Sequence, residues 1–453
     1  MASFEGWHIY LVDGDGETEI TNFVLGFSTR EVTNIGSPST VDATVTLNNN
    51  DGRFTPAEGG GTGAFRLTDW LSKALKIKGE FDYSPAPLSD SLLVSLPISN
   101  VSFSEDGINS QMTIEAQDWL SLTSSALADI SAGSTVEDLW RAIDLAADSS
   151  DFDLVFPQLG LPSYTAYPFI FPGTVSRSEL KFVDATGVSF LDYINQAFLR
   201  AAPGMLLPQD IEIRTSSSSI LYFGWVIDRT LTNTGFLGVV PDLLFSESPA
   251  DGVMAFSEVM PGFNFDDITS RSTITSAATG VSSQTSTNAT TGGLYGTRTR
   301  TSSGTGNASD ADALTAAEFW TKRQGTSRYV ARELRTSLET IFANNTGNAT
   351  GESAYFIVNY SSLWNPCKIT YTPVGGEQVD EVCVISGRRV DAVPGRTDIA
   401  LELLSAHDYQ SLTLDNALLG ALGGVSDSYD ESSHVYDEIE FYDGRPVSGF
   451  RLG

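Results

Sequence analysis

In Val41-Asp-Ala-Thr-Val-Thr-Leu-Asn-Asn-Asn-Asp-Gly-Arg-Phe-Thr-Pro56, the apolar positions Val41, Ala43, Val45 and Leu47 alternate with polar ones. Successive side chains of a strand point to opposite faces, so this period of two predicts a half-buried β-strand. The Asn-Asp-Gly that follows supplies the turn chemistry that ends it. Much later the pattern is echoed by Ile399-Ala-Leu-Glu-Leu-Leu-Ser-Ala-His-Asp-Tyr409. No short tandem repeat accompanies the echo; the repetition it suggests is of whole β-domains.

Other segments fit that reading. Trp7 to Val12 runs into Asp13-Gly-Asp-Gly, a turn signal, with Thr18 to Val24 as the expected hairpin partner. Leu75 to Tyr83 and Leu92 to Phe103 read as strands, and Met112, Ile114 and Ala116 alternate before Asp118, which is placed to cap a short helix. These residues make a first domain, 1–125, and a closed or nearly closed barrel would remove the exposed edges that so many strands create. A chain of 453 residues has room for roughly three domains at about 150 residues each.

The second section, 126–250, mixes helices and strands. Thr135 precedes Val136, Leu139, Trp140, Ile143 and Ala147 on one helical face, and Ser189 with Asp192 repeats the start signal. A third section, 251–425, returns to strands at Phe256 to Ala277 and Tyr355 to Leu404. Inside it, 279–311 is so rich in Ser, Thr, Gly and Asn that it cannot bury enough apolar surface to order itself unaided, and reads as an insertion or linker. A helix is expected over 313–342, with Val330, Leu334, Leu338 and Phe342 four apart, and residues 426–453 form an acidic C-terminal arm. With 41% hydrophobic and 18% charged residues and 41 Gly, the fold class expected is mainly β with α+β parts.

The 57 acidic and 26 basic residues give a formal charge of −31. That balance argues against a surface that grips nucleic acid by neutralising phosphates. It suits either a nonadhesive wall that lets a polyanion pass or simple solubility. No basic start followed by an apolar run opens the chain and no apolar run is long enough to span a bilayer, so neither a cleaved signal nor membrane insertion is expected.

Readable chemistry is sparse. The histidines His8, His407 and His434 are not spaced as metal ligands, and the common hydrolase, metalloprotease and phosphate-loop motifs are missing. Asp13-Gly-Asp-Gly-Glu17 alternates carboxylates as calcium loops do but lacks the later bidentate Glu, so a hairpin turn accounts for it better. No catalytic residue, metal ligand or cofactor is assigned. Cys367 and Cys383 lie symmetrically about Gly375-Gly376, so a hairpin turning there would set the sulfurs on neighbouring strands, as a disulfide or as two reduced, half-buried thiols.

Three groups are candidate interfaces. Tyr164, Tyr167, Phe169 and Phe171 sit in a proline-rich loop that either fills its own core or stacks on a sugar or partner. The basic stripe Lys322, Arg323, Arg328, Arg332 and Arg335 is either a solvated helical face or a patch for an acidic neighbouring copy. Tyr436, Phe441 and Tyr442 in the acidic arm suit an extended segment that docks on a neighbour.

The corner Thr44 to Pro56 resembles the strand and turn that recur in minor tail proteins encoded after the tape measure in siphophages. Met112-Thr-Ile-Glu-Ala-Gln-Asp-Trp-Leu is similar to the close of the same domain. Val188 to Phe198 sits where that family places a helix of its second domain, Leu294-Tyr-Gly-Thr-Arg298 resembles the passage into its last β-domain, and Ile399 to Gly420 resembles that domain's final strand and exit. The resemblance implies a tail-tip or baseplate hub without enzymatic activity, made in the host cytoplasm and carried in the virion. It would have two tube-like β-barrel domains, with a mixed α/β domain between them, assembled as a homotrimer. Implied partners are the distal tail ring, the tape measure and fibre or receptor-binding proteins, around a channel that DNA crosses without tight binding. No further C-terminal lysin or adhesin domain is expected. Two alternatives stand beside this reading: a carbohydrate-active or sugar-binding adhesin using the aromatic loop, and the distal tail ring protein itself.

Overall fold

A computed structural model describes residues 6–13, 16–32, 40–55, 70, 73–79, 91–105, 109–118, 243–249, 253–262, 268–305, 307, 309–323, 330–344 and 366–405, with the pairs 127–128, 136–137, 180–181, 188–189, 441–442 and 445–446. Strands predominate. The first set is β1 (Trp7–Asp13), β2 (Gly16–Glu19), β3 (Val24–Val32), β4 (Thr40–Asn48), β5 (Ala74–Gly79), β6 (Ser91–Glu105) and β7 (Ser110–Gln117). In β4 the alternation is realised: Ala43, Val45 and Leu47 are buried, while Thr44 and Thr46 face the other side.

The expected hairpin partner Thr18 to Val24 is divided. β2 pairs with β1, with Asp13 opposite Gly16; a 3-10 turn follows over Thr21–Phe23, and β3 begins at Val24. The cause is local: the Thr21 hydroxyl accepts from the Ile9 amide at 2.8 Å, taking the place of a ladder bond, and the backbone turns away.

Four short strands come next: β8 (Leu127–Ala128), β9 (Val136–Glu137), β10 (Leu180–Lys181) and β11 (Val188–Ser189), with β8 on β11 and β9 on β10. Val136 and Glu137 therefore lie in a ladder with Lys181 and Leu180, where a helix start was expected; the β-branched Val136 gains a cross-strand partner there. The remainder of the helices expected in 126–250 falls outside the described residues.

A second set contains β12 (Leu243–Ser246), β13 (Met254–Ala255) and β14 (Glu258–Gly262). Next comes a small unit of β15 (Arg271–Ser276), β16 (Gln284–Thr287), α1 (Ala289–Tyr295), β17 (Thr299–Thr305) and α2 (Asp310–Arg323). The set then resumes with β18 (Val330–Ser337), α3 (Leu338–Asn344), β19 (Pro366–Tyr371), β20 (Val379–Val393) and β21 (Arg396–Ser405). A last hairpin joins β22 (Phe441–Tyr442) to β23 (Arg445–Pro446).

The small unit bears on two expectations. The Ser/Thr/Gly-rich stretch is ordered, because β15 and α2 supply what it lacks: Ile274, Ala313, Ala316, Ala317 and Trp320 are buried, and Arg300 stacks 3.5 Å above the Trp320 ring. Hydroxyl pairs knit its strands, Thr273 to Thr285 and Thr275 to Ser283 at 3.0 Å each. The helix expected over 313–342 is instead α2, strand β18 and α3. Apolar residues four apart fit a helical face, yet four is also a multiple of two; pairing with β14 and β21 selects the strand.

The two sets have the same topology. Strands of the first lie in the order β2-β1-β5-β6-β7-β4-β3, those of the second in the order β13-β12-β19-β20-β21-β18-β14. Each is the same permutation of chain order. Both sixth strands, β6 and β20, are 15 residues long and change partner midway, and both carry an irregularity against the seventh, at Ile98/Asn100 and Ile385/Gly387. One difference remains: β1 runs antiparallel to β2 and β5, whereas β12 runs parallel to β13 and β19. Each fourth strand is followed by buried side chains of the core, Phe54 and Trp70 in the first set and Leu338 and Ile341 in the second. One apolar core runs through both.

Candidate functional site: the seam between the repeats

β3 of the first repeat pairs antiparallel with β20 of the second, from Val32 opposite Gly387 to Phe27 opposite Ala392. The joint makes one sheet of the two. Its buried face holds Phe27 and Ala392, then Thr29 and Val390, then Glu31 and Arg388. Arg388 donates from Nη2 to Glu31 Oε1 at 2.8 Å, and only 3% and 12% of these side chains are exposed. Paired this closely in a dry place, each charge satisfies the other; alone, either would be costly.

A second link crosses nearby. The Trp7 indole N–H donates to Thr397 Oγ1 at 3.1 Å, and the Trp7 ring meets Phe27 edge-on at 5.2 Å. Gly26 belongs to the same joint, since a Cβ there would meet Ala392 O at 3.2 Å and Val393 Cγ1 at 3.3 Å. The opposite face is polar. Across β7, β4, β3, β20, β21 and β18 it presents Glu115, Thr113, Thr44, Thr46, Ser28, Arg30, Arg389, Asp391, Glu402 and Arg335, with Arg389 paired to Asp391 and Arg335 to Glu333 and Glu258.

The corner after β4 is held by Asn49, which is fully buried. Its Oδ1 accepts from the Phe54 amide at 2.9 Å, and its Nδ2 donates to Thr55 Oγ1 at 2.8 Å and Ser110 Oγ at 3.2 Å. Gly52 supplies the left-handed position at φ 70°. Burying Phe54 against Phe23 and Trp70 contributes about 1.5–3 kcal/mol. Glu17, from the Asp-Gly-Asp-Gly turn, spends its charge on Lys76 at 2.6 Å, and His8 Nδ1 lies 2.9 Å from Glu19. Among the described residues no group of three His, Cys, Asp or Glu is placed to hold a metal, and no helix is long and apolar enough to cross a membrane.

Cys367 stands directly opposite Cys383 on β19 and β20; no disulfide joins them and both are fully buried, deeper than the half-buried state expected. Burial, with the Glu381 carboxylate adding to it, pushes the Cys367 thiol up, so it stays protonated. The basic stripe is dispersed. Lys322 and Arg323 end α2, Arg332 and Arg335 lie on β18, and Arg328 falls outside the described residues. Tyr164, Tyr167, Phe169, Phe171, Tyr436, His407 and His434 fall outside them too, while Phe441 and Tyr442 form β22. Sequence reading missed Glu31 and Arg388. The available signal was a carboxylate at the third position of the pattern Phe27, Thr29, Glu31, where a strand's core face would otherwise be apolar.

No family model matches the sequence, and no curated protein matches it. Solved structures do. A tail protein from Neisseria meningitidis MC58 aligns with a TM-score of 0.50 at 11% identity, covering 91% of this chain and 99% of that one. The fold is that of a tail protein. A 43 kDa tail protein of prophage MuSo2 from Shewanella oneidensis aligns at 0.49 with 9% identity over 89% and 99%. A prophage tail protein from Listeria monocytogenes aligns at 0.46 with 10% identity over 92% and 100%. At this identity what is shared with the Neisseria protein is the path of the chain.

Proposed function

We propose that this protein is a structural hub of a virion tail tip. Three copies form a ring of six tube-like barrels that joins the tail tube or distal tail ring to fibre or receptor-binding proteins and leaves a channel for DNA. The chain performs no catalysis in this role. The observation that carries the reading is the duplication: two strand sets of one topology lie side by side in a single sheet, so that three chains supply six equivalent units. Likeness to the fold of a tail protein supports it.

The polar face of the joined sheet suits a channel wall. It is lined mostly by hydroxyls and by charged side chains of both signs, and the chain's net charge of −31 disfavours tight binding of a polyanion. Light scattering of the purified protein, followed by face-on imaging, tests the proposal. A trimer with a central hole and a six-lobed outline is expected; a monomer at every concentration overturns it.

A further inference from the structure

The repeat contains the parts for two joints, and the described residues fill one. β3 lies on β20 within the chain; the equivalents of these strands in the other repeat are β14 and β6. Among the described residues β14 pairs only with β18, and β6 beyond Pro97 pairs only with β7, so each keeps one edge open. The edge left open on β6 is the one that β20 gives to β3.

We infer that β14 of one copy adds, antiparallel, to the Asn100–Glu105 edge of β6 in the next copy, repeating between chains the joint that β3 and β20 make within one. This deepens the ring reading and rests on it. A head-to-tail contact of this kind uses two different surfaces, and every chain carries both.

The register follows from matching rungs. In the first repeat Phe27, Val45, Ile114 and Val101 stand in one row; in the second, Val259, Leu334, Leu401 and Arg388 do. Phe27 therefore corresponds to Val259, and Val101 to Arg388. Since Phe27 faces Ala392 and Ser28 faces Asp391, Val259 faces Glu105 of the next copy and Met260 faces Ser104. Pro261, which has no N–H, ends the ladder and keeps it short.

The equivalents of Glu31 and Arg388 are Gly262 and Val101, which carry no charge. Exchanging partners, with β3 placed on β6 of another copy, would set Glu31 against Val101 and Arg388 against Gly262 and leave two buried charges unpaired. The ion pair thus reserves β3 for β20, and the uncharged edges are left for the neighbouring copy.

Cysteine cross-linking tests the joint. Val259→Cys and Glu105→Cys are placed in separate chains, mixed and oxidised; a second mixture uses Met260→Cys with Ser104→Cys, because neighbouring rungs alternate between the closer and the wider spacing. The native cysteines are buried and do not compete. Covalent dimers from at least one matched mixture are expected, none from either variant alone, and none from Val259→Cys mixed with Val101→Cys. With both matched cysteines in one chain, the product runs up to a covalent trimer. Trimers by light scattering that never cross-link, in variants whose circular dichroism is unchanged, overturn the edge joint and leave the ring reading standing; loss of the trimer from the unaltered protein overturns both.

Discussion

Arg388 and Glu31 are 357 residues apart in sequence and 2.8 Å apart in space. The contact ties the eighth residue of β3 to the middle of β20 at the point where the two repeats become one sheet.

Removing one member strands the other. Glu31→Leu or Arg388→Met alone is expected to cost about 3–5 kcal/mol, while the double variant is expected to be close to neutral, because burying two apolar side chains avoids the desolvation of both charges. Denaturant unfolding of the four proteins in a double-mutant cycle measures this. Additive losses would show that the two residues do not act on one another.

Asn49→Ala should loosen the corner that follows β4. It leaves the Phe54 amide, itself buried, without its 2.9 Å acceptor and removes two donated bonds, so a loss of about 1–3 kcal/mol is expected. Thermal unfolding reads the loss. Asn49→Asp keeps the acceptor but buries a carboxylate with no cationic partner, so it should not recover the loss.

The small unit should respond to acid separately from the two strand sets. Asp310 accepts from the Ser282 amide and hydroxyl at 2.8 Å each, and these bonds hold its carboxyl below the usual carboxylate range, the amide bond contributing most. A lowered value means that the unfolded state takes up its proton first as pH falls. The stabilisation is therefore complete above the ordinary Asp value near about 3.9 and is lost as pH drops through the lowered one. Hydrogen exchange at the Ser282 amide should accelerate in that window, and Asp310→Ala should show the faster exchange already at neutral pH.

Both thiols should be silent in the native protein. Cys367 and Cys383 are fully buried, and the Cys367 thiol is held protonated, so a disulfide reagent added at neutral pH is expected to label neither residue until denaturant is present. Rapid labelling of the folded protein would contradict their full burial on the β19–β20 ladder.

Where local rules were sufficient, the fold could be read directly. β4 and β7 alternate cleanly because one face is core and the other is wet, and the Asn-Asp-Gly corner ends β4 as its residue types demand. Sequence reading failed where distant parts decide. Val330, Leu334 and Leu338 satisfy two periodicities, and only the neighbours β14 and β21 distinguish them. The Ser/Thr-rich stretch has no apolar face of its own to read; Trp320 and the alanines of α2 supply it from outside. Glu31 looks like a surface residue until Arg388 is placed opposite. The echo between Val41 and Ile399 suggested a repeat but joins β4 to β21, which are not equivalent strands; the matching order of seven strands is a property of pairing, which no single strand records.

Placing β3 and β20 on one polypeptide has a thermodynamic effect beyond the contacts themselves. The two strands meet at an effective concentration set by the chain that connects them, so their joint does not depend on how much protein is present. Dilution dissolves contacts between molecules by mass action, and this joint is exempt.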